Sequence, residues 1–233
     1  MAVVAVAVAA TTGLTAWWFG TGGEPGPGQP VASVAGAVLS RDAAPPGVAE
    51  SLRRSVRRVH AEGCGVGRQA TSVVVERGGE VTALTNQHVV AGAEEVDVDG
   101  IDDPVGVRGL VDGRDAVELD ADRLVDGGMA PLDVGPRPPV GARVVVAGYP
   151  DGRYRAKAGT VQRIEVRQGF GGSADVLLLD VEAVPGISGG VVVDVAGRAV
   201  ALVTARDPVT HDVVAYPLDQ IGQASDDTTV PCR

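Results

Sequence analysis

From residue 70 onward the sequence is a succession of short apolar runs cut by glycine and proline, a pattern that leaves little room for helices. "ATSVVVERGGEVTALT" reads as two strands turning at Arg77-Gly78-Gly79-Glu80, because glycine supplies the backbone angles that tight hairpin turns require. Further strand candidates follow in "EEVDVDG", "PVGVRGLV", "DAVEL", "ARVVVAGYP", "GTVQRIEV", "ADVLLLDVEAV", "GVVVDVAGRAVALVTA" and "HDVVAYPL". Strand after strand, with no alternating helices, predicts an all-β sandwich or barrel. Ahead of this region, "VAESLRRSVRRVHAEG" places Val48, Leu52, Val56 and Val59 at i, i+4, i+8 and i+11, which predicts a helix containing His60. The 233 residues suffice for a sizeable core in one large or two small domains.

The first 20 residues, "MAVVAVAVAATTGLTAWWFG", are apolar or small throughout and carry no charge. That length matches the hydrocarbon thickness of a bilayer, and Trp17 and Trp18 stand where interfacial aromatics sit. Residues 1–20 are therefore read as a membrane anchor or signal segment, and the Pro- and Gly-rich residues 21–47 as a linker. A formal charge of −10 and the lack of a basic cluster with interleaved aromatics argue against nucleic acid as a partner. Cys64 and Cys232 are too far apart for a CxxC motif. They are either buried free thiols or one long-range disulfide, which needs an oxidising compartment.

Histidine is scarce. His60 falls in the arginine-rich segment and His211 in a predicted hairpin loop, "RDPVTHDVV". His88 follows a strand directly, in "ALTNQHVVAGA", where Asn86 and Gln87 interrupt an apolar run. A histidine projecting from the end of a core strand is well placed to act as a base. Ser188 lies in "PGISGG", which is either a tight turn or the surroundings of a nucleophile. The hexapeptide also satisfies G-x-S-x-G, but only 45 residues follow Ser188, with one histidine and no room for further βα units. An α/β-hydrolase is thereby excluded. The order His, Asp, Ser is instead that of the chymotrypsin-like double β-barrel, in agreement with the strand pattern. No His/Cys/Asp grouping has metal-ligand spacing, so neither a metal nor a cofactor is expected.

"TNQHVVAGA" and "PGISGG" resemble the histidine and serine motifs of trypsin-like serine proteases of the HtrA/Deg type. "PPVGARVVVAGYP" between them and "GRAVALVTA" after them resemble segments of the same family, so that the likeness covers roughly residues 60–222. The cysteines and the N-terminal apolar segment narrow it to membrane-anchored periplasmic proteases of the MarP type, which implies a Cys64–Cys232 disulfide. What the resemblance implies is an all-β fold of two six-stranded antiparallel barrels, preceded by an N-terminal hydrophobic helix. The protease domain would span residues 48–233, act on polypeptides, and lie outside the cytoplasmic membrane, anchored or secreted.

By the same likeness Ser188 is the nucleophile, His88 the base and Asp115, in "RDAVEL", the residue that orients it. Asp120 is the competing acid, although Asp122 and Arg123 would then occupy the strand that follows. The N–H groups of Gly186 and Ser188 would form the oxyanion hole, and Glu182 and Thr204 would line the substrate pocket. Two positions depart from the family pattern: Ile187 stands where Asp or Asn is usual, and Gln87 where a small residue is. An alternative is thus a catalytically weak or inactive domain that binds peptides. A purely structural, membrane-tethered β-domain would not account for His88 and Ser188 arriving in protease order.

Overall fold

The computed structural model describes residues 44–169 and 172–232; the apolar segment 1–20 and the linker as far as residue 43 lie outside the described residues. Helix α1 (Pro46–Arg53) begins within the stretch read as linker, on a proline whose fixed φ suits a first helical turn. The predicted helix extends no further. Residues Val56–Gly63 form strand β1 instead, and His60 sits on that strand, not on a helix. The reason is tertiary. All eight residues of β1 pair with β2 (Val66–Arg77), from Val56↔Val73 to Gly63↔Val66. Its other edge meets β4 (Glu95–Val98) at Val59↔Val98 and His60↔Asp97. Ladder bonds on both edges outweigh a local spacing that fits a helix equally well.

The first barrel continues through β3 (Glu80–Thr85), β5 (Val105–Leu110) and β6 (Val117–Leu119). Six strands close in the order β1-β4-β5-β6-β3-β2 and back to β1. The β2–β3 hairpin turns at Gly78 and Gly79, both at positive φ, between the paired Arg77 and Glu80. Two short helices, α2 (Gln87–Val90) and α3 (Ala121–Asp126), interrupt the strands, and a two-residue strand β7 (Leu132–Asp133) adds in parallel to β2. The second barrel contains β8 (Arg143–Gly148), β9 (Arg155–Gly169), β10 (Gly172–Glu182), β11 (Val191–Asp194), β12 (Ala199–Arg206) and β13 (Asp212–Pro217). It closes in the order β10-β13-β12-β11-β8-β9.

Three buried clusters follow from strand alternation. Val74 points into the first barrel, while Val73 and Val75 face the second. Val144 and Val146 fill the second barrel, while Val145 and Ala147 face the first, and Leu177 and Leu179 alternate with Leu178 in the same way. Strands buried on both faces read as unbroken apolar runs, which is why "SVVV", "RVVVA" and "VLLL" lack polar alternation. Among the described residues no helix is long and apolar enough to cross a membrane.

The β12–β13 loop is held by Asp207, whose carboxylate accepts the N–H groups of Val209 and Thr210 at 3.0 and 2.9 Å and an N–H of Arg167 on β9. Those hydrogen bonds, that from Thr210 foremost, keep its carboxyl well below the usual carboxylate range. A carboxyl depressed in the folded state contributes stability above its unfolded value, near about 4, and loses it as pH falls toward the folded value. Asp207→Asn is accordingly expected to lower the melting temperature at pH 7, with the gap to wild type narrowing at pH 3. A gap of the same size at both pH values would contradict this assignment.

Candidate active site

The catalytic residues anticipated from the sequence come from both barrels and meet at their seam. Strand β3 ends at Thr85, and α2 begins two residues later with Gln87 and His88. Asn86 between them is fully buried, and its side-chain amide donates to the carbonyl of Asp115 at 2.6 Å. This bond ties the start of α2 to the segment entering β6. Gln87 is buried too, and its amide donates to the carbonyl of Val111 at 3.3 Å.

Asp115 is 2% exposed. Its Oδ1 accepts the backbone N–H of His88 at 3.0 Å, and its Oδ2 lies 2.6 Å from His88 Nδ1. The hydroxyl of Thr204, on β12, donates to the same Oδ2 at 2.8 Å. On the other side of the ring, His88 Nε2 lies 3.1 Å from Ser188 Oγ. An imidazole held by a carboxylate through Nδ1 presents a free lone pair at Nε2, where it can take a proton from the serine hydroxyl. Asp120 lies elsewhere: it caps α3 by accepting from the N–H of Arg123 and pairs with Arg108.

The turn before Ser188 has defined geometry. Ile187 N–H donates to the carbonyl of Val184 at 3.1 Å, enclosing Pro185 and Gly186, and Gly186 has φ +94°. Proline followed by a positive-φ glycine is a type II turn. A Cβ on Gly186 would lie 2.6 Å from the carbonyl oxygen of Tyr149, so the position also needs glycine for space. No described residue accepts the N–H of Gly186 or that of Ser188, so both donors are free for an oxygen placed beside Ser188 Oγ.

Glu182 and Thr204, both expected to line the substrate pocket, have different surroundings. Thr204 is buried and directed at Asp115. Glu182 is exposed and lines a cavity of about 130 Å³ with Asp151, Arg155, Lys157 and Ile187, none of them a triad residue. Ordinary alternation puts Glu182 there: Leu177, Leu179 and Val181 fill the second barrel, so Asp180 and Glu182 face outward. His60, half-exposed, lies 3.8 Å from Asp99, and His211 is exposed in the β12–β13 loop. Neither approaches the site.

Cys64 and Cys232 form a disulfide with a Cα–Cα distance of 5.7 Å. It sits against the segment that leaves α2. Gly92 N–H donates to the carbonyl of Val230 at 2.8 Å, and a Cβ on Gly92 would come within 2.6 Å of Cys64 Sγ. Among the described residues no group of His, Cys, Asp and Glu could hold a metal ion.

Sequence reasoning passed over Thr71 and read Thr204 for a different role. Thr71, fully buried on β2, donates its hydroxyl to the carbonyl of Gly186 at 2.9 Å. The available signal was a pair of hydroxyl residues, Thr71 and Ser72, directly ahead of the valine run Val73–Val75 in β2.

Comparison with known proteins agrees with this fold. The family model of the trypsin-like peptidase domain matches residues 70–202. No curated protein matches the chain in sequence. Among solved structures, the active form of the Rv3671c protease from M. tuberculosis superposes with a TM-score of 0.66 at 23% identity, over 82% of this chain and 92% of that one. The HtrA-type protease AlgW with a tripeptide gives 0.62 at 22% identity, over 76% and 61%. A serine endoprotease from Yersinia pestis gives 0.57 at 19%, over 76% and 64%. At these identities the likeness is one of fold.

Proposed function

The chain belongs to the trypsin-like peptidases, whose family model covers more than half of it, and from that premise we propose that it is a serine endopeptidase working through Ser188, His88 and Asp115. The observation that carries the reading is the position of His88, with Nδ1 2.6 Å from Asp115 and Nε2 3.1 Å from Ser188. Ser188 Oγ attacks the scissile carbonyl carbon while His88 Nε2 takes the hydroxyl proton. The carbonyl π electrons move onto oxygen, and the resulting oxyanion is met by the N–H groups of Gly186 and Ser188. Collapse breaks the C–N bond, His88 returns the proton to the leaving amine, and an acyl-enzyme on Ser188 remains. Water, deprotonated by His88, then releases the acid and regenerates the serine. Asp115 holds the ring orientation and stabilises the imidazolium.

Polypeptides are the proposed substrates, a reading that draws on the tripeptide and decapeptide bound by AlgW. An extracytoplasmic setting is the proposed location. The Cys64–Cys232 bond favours it, since disulfides persist in oxidising compartments. The apolar residues 1–20 supply an anchor or signal.

The test is covalent labelling of the oxidised protein by a fluorophosphonate, which reports an activated serine. Wild type is expected to label at Ser188, with labelling lost in Ser188→Ala and His88→Ala. Folded wild-type protein that takes no label between pH 6 and 9 would leave a peptide-binding scaffold as the function.

A further inference from the structure

Nothing within the Pro185–Gly186 turn fixes which way its central peptide faces. Glycine populates positive and negative φ with similar ease. Proline has accessible ψ values on both sides, as its place at the second position of type I and type II turns shows. Turning that peptide over would carry Gly186 N–H away from Ser188 and bring the Pro185 carbonyl toward it. The next residue, Ile187, cannot prevent this by hydrogen bonding, because its side chain has no polar atom. Ile187 packs instead against the core of the second barrel.

Two hydrogen bonds from outside hold the turn, and both lead to one residue. The Gly186 carbonyl accepts the Thr71 hydroxyl at 2.9 Å. The Pro185 carbonyl accepts the N–H of Asp151 at 2.9 Å, and Asp151 belongs to the short turn Pro150–Gly152. That turn is anchored in its own right, because the N–H of the preceding Tyr149 donates to Thr71 Oγ1 at 2.9 Å. The Thr71 hydroxyl thus donates to the oxyanion turn and accepts from the loop that braces it. Its backbone is fixed as well. Thr71 N–H donates to the Ser188 carbonyl at 2.8 Å, and the Thr85 hydroxyl donates to the Thr71 carbonyl at 2.8 Å. Thr71 is fully buried on β2 of the first barrel, whereas every group its hydroxyl touches belongs to the second.

We propose that Thr71 is the positioning residue of the oxyanion hole, its hydroxyl locking the Pro185–Gly186 peptide in the orientation that presents Gly186 N–H beside Ser188. This rests on the serine endopeptidase reading above. It assigns to a threonine of the first barrel a task that the side chain next to the nucleophile cannot perform here. Thr71→Val keeps the shape and β-branching of the side chain but removes the hydroxyl. Both the Gly186 carbonyl and the Tyr149 N–H then lose their partner, and the turn is free to reverse.

The experiment compares full-length wild type with Thr71→Val, Thr71→Ser and Ser72→Ala. It reads the second-order rate of fluorophosphonate labelling and the crystal structure of each oxidised protein. Removing one oxyanion donor typically costs a factor of about 10²–10³, so a hole that is only partly populated should slow labelling about 10- to 100-fold in Thr71→Val. Its crystal structure should show Gly186 at negative φ. Thr71→Ser, which restores the hydroxyl, should label within about threefold of wild type, a rescue that a loss of packing would not give. Ser72→Ala removes a neighbouring buried hydroxyl that has no partner among the described residues and should change neither readout. Should Thr71→Val fail to fold, Thr71→Ala takes its place against Thr71→Ser. Wild-type labelling in the hydroxyl-free variant, or Gly186 retained at positive φ there, would overturn the assignment. A wild type that does not label, with the turn still reversing in Thr71→Val, would overturn the peptidase reading and leave the role of Thr71 standing.

Discussion

Asp115→Asn is expected to lower kcat about 10⁴-fold while leaving KM and the fold nearly unchanged. The size follows from which partners the amide can satisfy. Asp115 Oδ1 accepts the backbone N–H of His88, and Oδ2 receives His88 Nδ1–H and the Thr204 hydroxyl. An asparagine must place its NH₂ at one of these two positions. At the first it would face a fixed backbone donor with another donor, in a site that is 2% exposed. At the second it donates to Nδ1, and the Thr204 hydroxyl can rotate to act as acceptor. The second arrangement wins, and it forces the ring proton onto Nε2, the atom facing Ser188. The imidazole is then a donor where the reaction needs a base. Steady-state kinetics on a cleaved peptide, with a melting curve to establish folding, measure this. A variant keeping more than about a tenth of wild-type kcat would show that Asp115 does not set the tautomer.

Breaking the Cys64–Cys232 bond should produce the largest change in stability. The bond closes a separation of 168 residues, and the chain-entropy argument assigns a loop of that length about 5 kcal/mol. For a domain of this size that corresponds to a fall in melting temperature of about 10–20 °C. The folded tail has further attachments. Ser225 N–H donates to the Leu110 carbonyl at 2.8 Å, Leu110 N–H to the Asp227 carbonyl at 3.0 Å, and Gly92 N–H to the Val230 carbonyl at 2.8 Å, with Val230 itself buried. These contacts keep the tail docked below the transition. The double variant Cys64→Ser, Cys232→Ser should therefore melt early yet retain kcat within a few-fold at 20 °C. Calorimetry on the two proteins checks the prediction. A shift below about 3 °C would mean that the reduced, unfolded chain is already restricted to nearly the same degree.

The barrels were legible in the sequence because a strand buried on both faces writes its apolar run without interruption, as in "VVVA" and "VLLL". The β2–β3 hairpin was legible because Gly78 and Gly79 are the residues that a positive-φ turn demands. His88 and Ser188 stood out through their flanking residues, and they lie 3.1 Å apart. What the sequence did not convey depends on long-range partners. Val56 and Val59 fit a helix as well as a strand, and the choice was made by β2 and β4 pairing on either side. Thr204 faces Asp115, a residue 89 positions earlier in the chain. Thr71 looked like an ordinary strand residue because its hydroxyl acts 115 positions away.

The bond between Cys64 and Cys232 also decides what happens when the backbone is cut. A single nick at any loop between the two cysteines would leave both fragments on one molecule, each still paired with its neighbours in the barrels. Such a nicked molecule keeps the mass of the intact one plus a water, and it would run as a single species on a gel until a reductant is added. Between the two cysteines, two cuts are needed before any piece can depart, and the piece that departs excludes both of them. A protein that meets proteases, its own kind included, is by this means made resistant to loss of parts and not to cleavage itself.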